Sequence, residues 1–179
     1  IALPFWTVKT SVLIPFLLAF AYPVLGFVVP RALGMLLEDQ RRKPLVALSV
    51  EGTAFAAVLS TLAILKTSEV LELSESLPAG AKLLMLAGVA LAQWGCLDGS
   101  RVSLVAALLA AIGGPLAEIP FVWAGFWHYL DSAADYFPLQ SLGQNVDVGL
   151  SSLTGPCYFA VTTDAIAWWL FFSRRTPAS

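Results

Sequence analysis

The chain is 179 residues long, 58% hydrophobic and 12% charged, with a formal net charge of −2. A soluble domain carries about 25% charged residues, and half that complement cannot wet a globule this small, so a soluble enzyme, a disordered region and a nucleic-acid binder are excluded. With a mean hydropathy of +0.79, the sequence reads as an all-α integral membrane helix bundle, one transmembrane domain over residues 1–179.

A helix rises about 1.5 Å per residue, and about 20 apolar residues cross a ~30 Å hydrocarbon core. Five spans are predicted on that basis. The first covers 5–29, contains Pro15 and Pro23, and stops at Pro30. Prolines kink a span, so neighbouring helices or hydroxyls must satisfy the freed carbonyls. The second span covers 45–65 and the third 81–97. Between them, Ser68–Pro78 (SEVLELSESLP) predicts a short helix lying on the membrane surface. The fourth span covers 102–129. A straight helix of that length would be about 42 Å, too long to stand upright. A break is therefore predicted at 113–120, where Gly113-Gly114-Pro115 is followed by Pro120. A polar stretch, 130–149, precedes the fifth span at 150–172 and carries Asp131, Asp135, Gln140, Gln144, Asn145 and Asp147. The sequence has neither the alternation of a barrel strand nor an internal repeat. The first residue is Ile1, which raises the expectation of a targeting peptide, a pro-segment or a further span upstream.

Charge orients the bundle. Arg31, Arg41, Arg42, Lys43, Arg101, Arg174 and Arg175 fall on one side of five spans. Lys9, Lys66 and Lys82 fall on the other, among Glu69, Glu72, Glu75, Asp131, Asp135 and Asp147. The positive-inside rule then predicts a C-terminus that is cytosolic, or stromal in a plastid, with the N-terminus facing the lumen or exterior.

Glu51, Glu118 and Asp164 fall inside the predicted spans. A charge there costs several kcal/mol and marks a functional candidate. Glu51 and Asp164 lie about a third of the way in from a span end, where snorkelling or a bond to a neighbouring helix is the plainer reading. Glu118, between Pro115 and Pro120, is the sharper candidate for a ligand or proton site beside unpaired carbonyls. With Gly113, Gly114 and Trp123, it predicts a lipid-sized cavity beside residues 113–123, walled partly by Trp123 and by the second and third spans. His128, in Phe126-Trp127-His128-Tyr129, has two readings: part of an interfacial aromatic belt, or an axial ligand to a porphyrin metal such as that of chlorophyll. Cys96 and Cys157 read as packing residues, and a single histidine argues against a clustered zinc site.

No nucleophile beside a base, HExxH, aspartate pair or Gly-rich phosphate loop is present, so no enzymatic activity is expected. Asp98-Gly99-Ser100-Arg101 is the one dense polar cluster at a membrane face. Its Asp and Arg can pair at i and i+3 and its Ser can cap the next helix. It reads either as a tight turn or as a dock for a partner.

Trp94 followed by Asp98-x-Ser100-Arg101 resembles the W…DxSR signature of the insig family of small polytopic membrane proteins. Gly125 and Tyr129 repeat a GxxxY of that family. Pro156-Cys157-Tyr158-Phe159 resembles its Pro-Cys-aromatic start of the last span, and Pro15 with Gly26-Phe27-Val28-Val29-Pro30 resembles a P…GxxxP in an early span. The resemblance runs over most of the chain. It implies a non-enzymatic protein that holds lipid-like ligands between helices and binds partners through its spans, with Asp98, Ser100 and Arg101 facing a partner. The family has six spans and this sequence starts at what resembles the second, while its 131–149 stretch is longer.

These readings lead to one expectation and two alternatives. The expectation is an accessory or scaffold subunit of a larger membrane complex, with a plastid thylakoid favoured over the endoplasmic reticulum. Its partners are integral membrane proteins and membrane lipids. The ligand expected between the helices is lipid, chlorophyll or carotenoid. The alternatives are a free lipid or sterol sensor that regulates a membrane partner, and a small transporter using Glu118.

Overall fold

The computed structural model describes residues 2–3, 6–7, 14–37, 44–141, 143 and 148–175. Strands β1 (Ala2–Leu3) and β2 (Trp6–Thr7) pair antiparallel ahead of the bundle. Helix α1 (Ile14–Pro23) runs through a π-helical turn (Val24–Val28) into α2 (Val29–Leu36). Then come α3 (Val50–Glu72), α4 (Ala79–Leu97) and α5 (Arg101–Trp123). The single turn α6 (Pro138–Ser141) sits in the following loop, and α7 (Thr154–Arg175) closes the set. The fold is an all-α bundle.

Among the described residues, four stretches are long and apolar enough to cross a membrane: Pro15–Leu36, Val50–Glu72, Ala79–Leu97 and Arg101–Trp123. Helix α7, with 22 residues, is long enough but more polar. It is also the axis of the bundle, packed against α5, α3, α4 and the π turn. Thr162, Thr163 and Asp164 are buried on it. A helix shielded from lipid by its neighbours need not be uniformly apolar, because protein groups can satisfy its polar ones. Phe159 and Ala160 of α7 share a core with Ile64, Leu86 and Ala107 from α3, α4 and α5. Small residues set the tightest approach. A Cβ on Gly155 would lie 2.9 Å from the Ala111 carbonyl oxygen of α5. Gln93 stitches α4 to α3 by donating to Ser60 Oγ at 3.0 Å and Thr61 Oγ1 at 2.7 Å.

Several predicted boundaries are corrected. The first span does not stop at Pro30 but continues to Leu36. A proline in an α-helix clashes with the carbonyl four residues back, which here is that of Gly26. The π turn relieves this by widening the ladder, with the Val29 amide bonding the Val24 carbonyl. The second span starts later, where Ser49 accepts from the Gly52 amide at 3.0 Å and caps α3. It absorbs Ser68–Glu72, so the first part of the predicted surface helix is the end of α3, and residues 73–78 form a turn. Glu51 thus lies exposed in the first turn of α3, where a carboxylate suits the helix dipole, and not mid-span.

The predicted break at 113–120 is also corrected, because α5 is continuous through Pro115 and Pro120 and ends at Trp123. Pro115 frees the carbonyl of Ala111, and that carbonyl faces Gly155 of α7. A glycine Cα–H can meet such an oxygen, so the helix need not open. Residues 124–129 are a return loop, with Gly125 at φ 74° in the turn that ends the helix. Arg41, Arg42, Lys43, Lys9, Gln144, Asn145 and Asp147 lie outside the described residues.

Candidate functional site: an amphipathic cavity between helices

The face of α5 that carries Gly114 and Glu118, one turn apart, looks onto α7. Gly114 has no side chain because the ring of Tyr158 occupies the place where its Cβ would stand. Tyr158 can then reach Glu118, donating to Oε1 at 2.8 Å. From the return loop, Tyr129 donates to Glu118 Oε2 at 2.6 Å, and its hydroxyl lies 2.9 Å from Thr154 Oγ1 at the start of α7. Both carboxylate oxygens therefore accept from phenols. Burial, with the Glu118 carboxylate beside it, holds the Tyr129 phenol well above its usual range.

About six residues farther along α7, Asp164 is 3% exposed. Tyr22 of α1 donates to its Oδ2 at 2.7 Å, and its buried Oδ1 has no hydrogen-bond partner among the described residues. The chain has four tyrosines, and three of them are spent on these two acids.

Both acids line one partly open cavity of about 660 Å³, a size typical of small-ligand sites. Helix α1 supplies Leu17, Leu18, Ala21 and Tyr22, and α3 supplies Val58, Thr61, Leu62 and Leu65. Trp127, His128 and Tyr129 come from the return loop, and Cys157, Tyr158, Val161 and Trp168 from α7. The walls are mostly apolar, with polar groups concentrated at Glu118 and Asp164.

The predicted cavity residues separate. Glu118 and His128 line it, His128 from an exposed position. Gly114 does not line it but seats Tyr158 behind it. Gly113 is exposed with open space beside it, since one residue turns a helix by about 100°. Trp123 is 71% exposed and does not line this cavity. The third span, α4, is not a wall either, and α1 takes that place. Three or more His, Cys, Asp or Glu side chains able to hold a metal are found nowhere among the described residues. Sequence reasoning missed Tyr22, Tyr158 and Thr154 as site groups. The available signal was that each acid inside a span needs a donor, and tyrosines are few.

The Asp98–Arg101 turn is bound up within itself. Ser100 donates to Asp98 Oδ2, while its Oγ accepts from the Ser103 amide at 3.1 Å and caps α5. Trp94 Nε1 donates to Ser100 O at 3.1 Å and to Ser103 Oγ at 3.0 Å. Gly99 takes φ 65°, which closes the turn. Arg101 alone projects outward, exposed. Trp94→Phe keeps the ring and removes the donor. It is expected to cost about 1 kcal/mol, read as a lowered unfolding midpoint in detergent.

Comparison with protein-family models, characterised proteins and solved structures finds no match. The insig resemblance accordingly rests on the motifs quoted above.

Proposed function

We propose that the chain is a non-enzymatic, insig-like membrane protein that holds a lipid-like amphiphile or pigment between its helices and serves as an accessory subunit of a larger membrane assembly. The observation that carries this reading is the cavity of about 660 Å³ with apolar walls and two polar stations, Glu118 and Asp164. A long apolar molecule with a polar head fits that distribution, whereas a small polar substrate would leave most of the wall unsatisfied. The motifs around Asp98 and Pro156 support the same family of behaviour. The Lys/Arg distribution favours a cytosolic or stromal C-terminus, which puts Arg101 on the side where a partner would dock. A plastid thylakoid is the favoured setting. Where pigment is the occupant, His128 is the side chain that would ligate its magnesium.

The test is purification from native membranes in mild detergent, followed by solvent extraction and mass spectrometry. A retained amphiphile at roughly one per chain, in a particle much heavier than the 19.1 kDa subunit, is the expected result. Val161→Trp should expel the amphiphile while leaving helical circular dichroism intact. Full occupancy in that variant, or a wild-type protein that carries nothing, would defeat the reading.

A further inference from the structure

We propose that the cavity is a slot open sideways to the bilayer between α1 and α3, and that its occupant is one hydrocarbon chain of a surrounding membrane lipid. This rests on the cavity being a ligand site, and it names the class of ligand and its way in. Helices α1 and α3 each pack on α7 but not closely on one another. Tyr158, Val161 and Trp168 of α7 form the floor between them, with Leu17 and Leu18 on one wall and Leu62 and Leu65 on the other. These four leucines are between 38% and 52% exposed, so they make an apolar rim. The rim lies within two stretches that are long and apolar enough to cross a membrane, and a rim so placed meets lipid tails.

Size selects the occupant. Thr154 and Trp168 both line the cavity and stand on one helix, α7, separated by about 21 Å of helical rise. A volume of about 660 Å³ spread over that length is a slot about 6 Å across. A partner helix is about 10–12 Å in diameter, and the same length of one fills roughly 1,600 Å³ or more, so it does not fit. A hydrocarbon chain is about 4 Å thick, the contact separation of two carbons, and two abreast need about 8 Å. The slot therefore takes one chain. Its open side lets a two-chain lipid thread one chain and leave the other in the bilayer. Lipid tails are as apolar as leucine, so no hydrophobic gain draws the chain in. What holds it is the dispersion contact that an empty slot would forfeit along every wall. The head stays at the return-loop end, where His128 is exposed and Tyr129 and Thr154 line the cavity, and the chain runs past Val161 toward Trp168.

The test places the full chain in phosphatidylcholine nanodiscs doped with one of two photoreactive probes. One is a phosphatidylcholine with a diazirine midway along one acyl chain, the other a diazirine-bearing sterol, and crosslinks are mapped by mass spectrometry after illumination. The acyl probe is expected to mark Tyr158 and Val161 on the slot floor, besides the outward-facing Phe16 and Leu84. It should leave Ala160 and Thr162, both 0% exposed, unmarked. Leu18→Trp combined with Leu62→Trp narrows the mouth from both walls and should lower marking of Val161 about tenfold, with Leu84 marked as before. Three results would each overturn the proposal: no acyl marks on the wild-type floor, floor marks that the double variant leaves unchanged, or a floor marked by the sterol in preference to the acyl probe. Where the double variant does not fold, the wild-type pattern and the sterol comparison still decide. An unmarked floor in a protein that retains an extractable amphiphile would bring down this proposal alone. An unmarked floor in a protein that carries no amphiphile would bring down the cavity reading as well.

Discussion

Gly26→Leu is expected to detach the first span from the rest of the bundle. A Cβ at Gly26 would stand 2.5 Å from the backbone oxygen of Ala165 and 2.9 Å from its carbonyl carbon. A backbone in the middle of α7 cannot step aside as a side-chain tip can. Overpacking in an interior typically costs about 1–3 kcal/mol, and an obstacle made of backbone places this site at or above the top of that range. The damage should spread in a definite order. Phe27 stacks on Trp169 at 4.1 Å between ring centroids, and Tyr22 holds Asp164 from one turn before Gly26. Both contacts require the π turn to sit tight on α7. Much of the remaining surface of α1 faces outward, with Phe16 71% and Phe20 74% exposed, and the span's other anchorage is α2 against α5. The measurement is chemical unfolding in detergent, with a protease-accessibility assay of α1 alongside. Gly34→Leu is the control. Nothing lies within 4 Å of a Cβ at Gly34, and the same substitution there should be close to neutral. Equal effects at the two positions would refute the argument.

Glu118→Ala is the second large change. It removes the acceptor from two part-buried phenols at once, those of Tyr129 and Tyr158. Each donor left unsatisfied costs about 1–3 kcal/mol. Tyr129 keeps Thr154 as a neighbour and should fall at the low end, whereas Tyr158 has no second hydroxyl partner among the described residues. A total of about 2–4 kcal/mol follows. Tyr158→Phe should cost only about 1 kcal/mol, because the carboxylate retains Tyr129. Thermal unfolding of the two variants in the same detergent tests the ordering, and a Tyr158→Phe loss as large as that of Glu118→Ala would contradict it.

The bundle was legible in the sequence because lipid imposes length and apolarity on every helix it touches. Helix α4, predicted at 81–97, is observed at Ala79–Leu97. Errors gathered where local rules met tertiary relief. Pro30 reads as a stop, but a π turn carries the helix past it. Gly113, Gly114, Pro115 and Pro120 read as a break, but Gly155 of α7 lies against the freed Ala111 carbonyl. The π turn is local to Pro30, whereas Gly155 lies far along the chain from the carbonyl it meets. For the cavity, Glu118 was legible as an acid that needed partners. Trp123 was misplaced because five residues along a helix swing the side chain about 140° away from Glu118. Tyr22 and Asp164 meet across 142 positions, a pairing that periodicity cannot express.

The polar character of α7 also bears on how the chain is built. Synthesis delivers helices in order, and α7 follows all the other described helices. The four apolar stretches that precede it can each partition into a bilayer alone, whereas α7 carries Thr162, Thr163 and Asp164 and gains most from partners already in place. One side of the groove that α7 fills is held by the Gln93 bonds to Ser60 and Thr61 between α4 and α3. In the folded bundle the apolar helices thus act as the solvent for α7, supplying the contacts that lipid cannot.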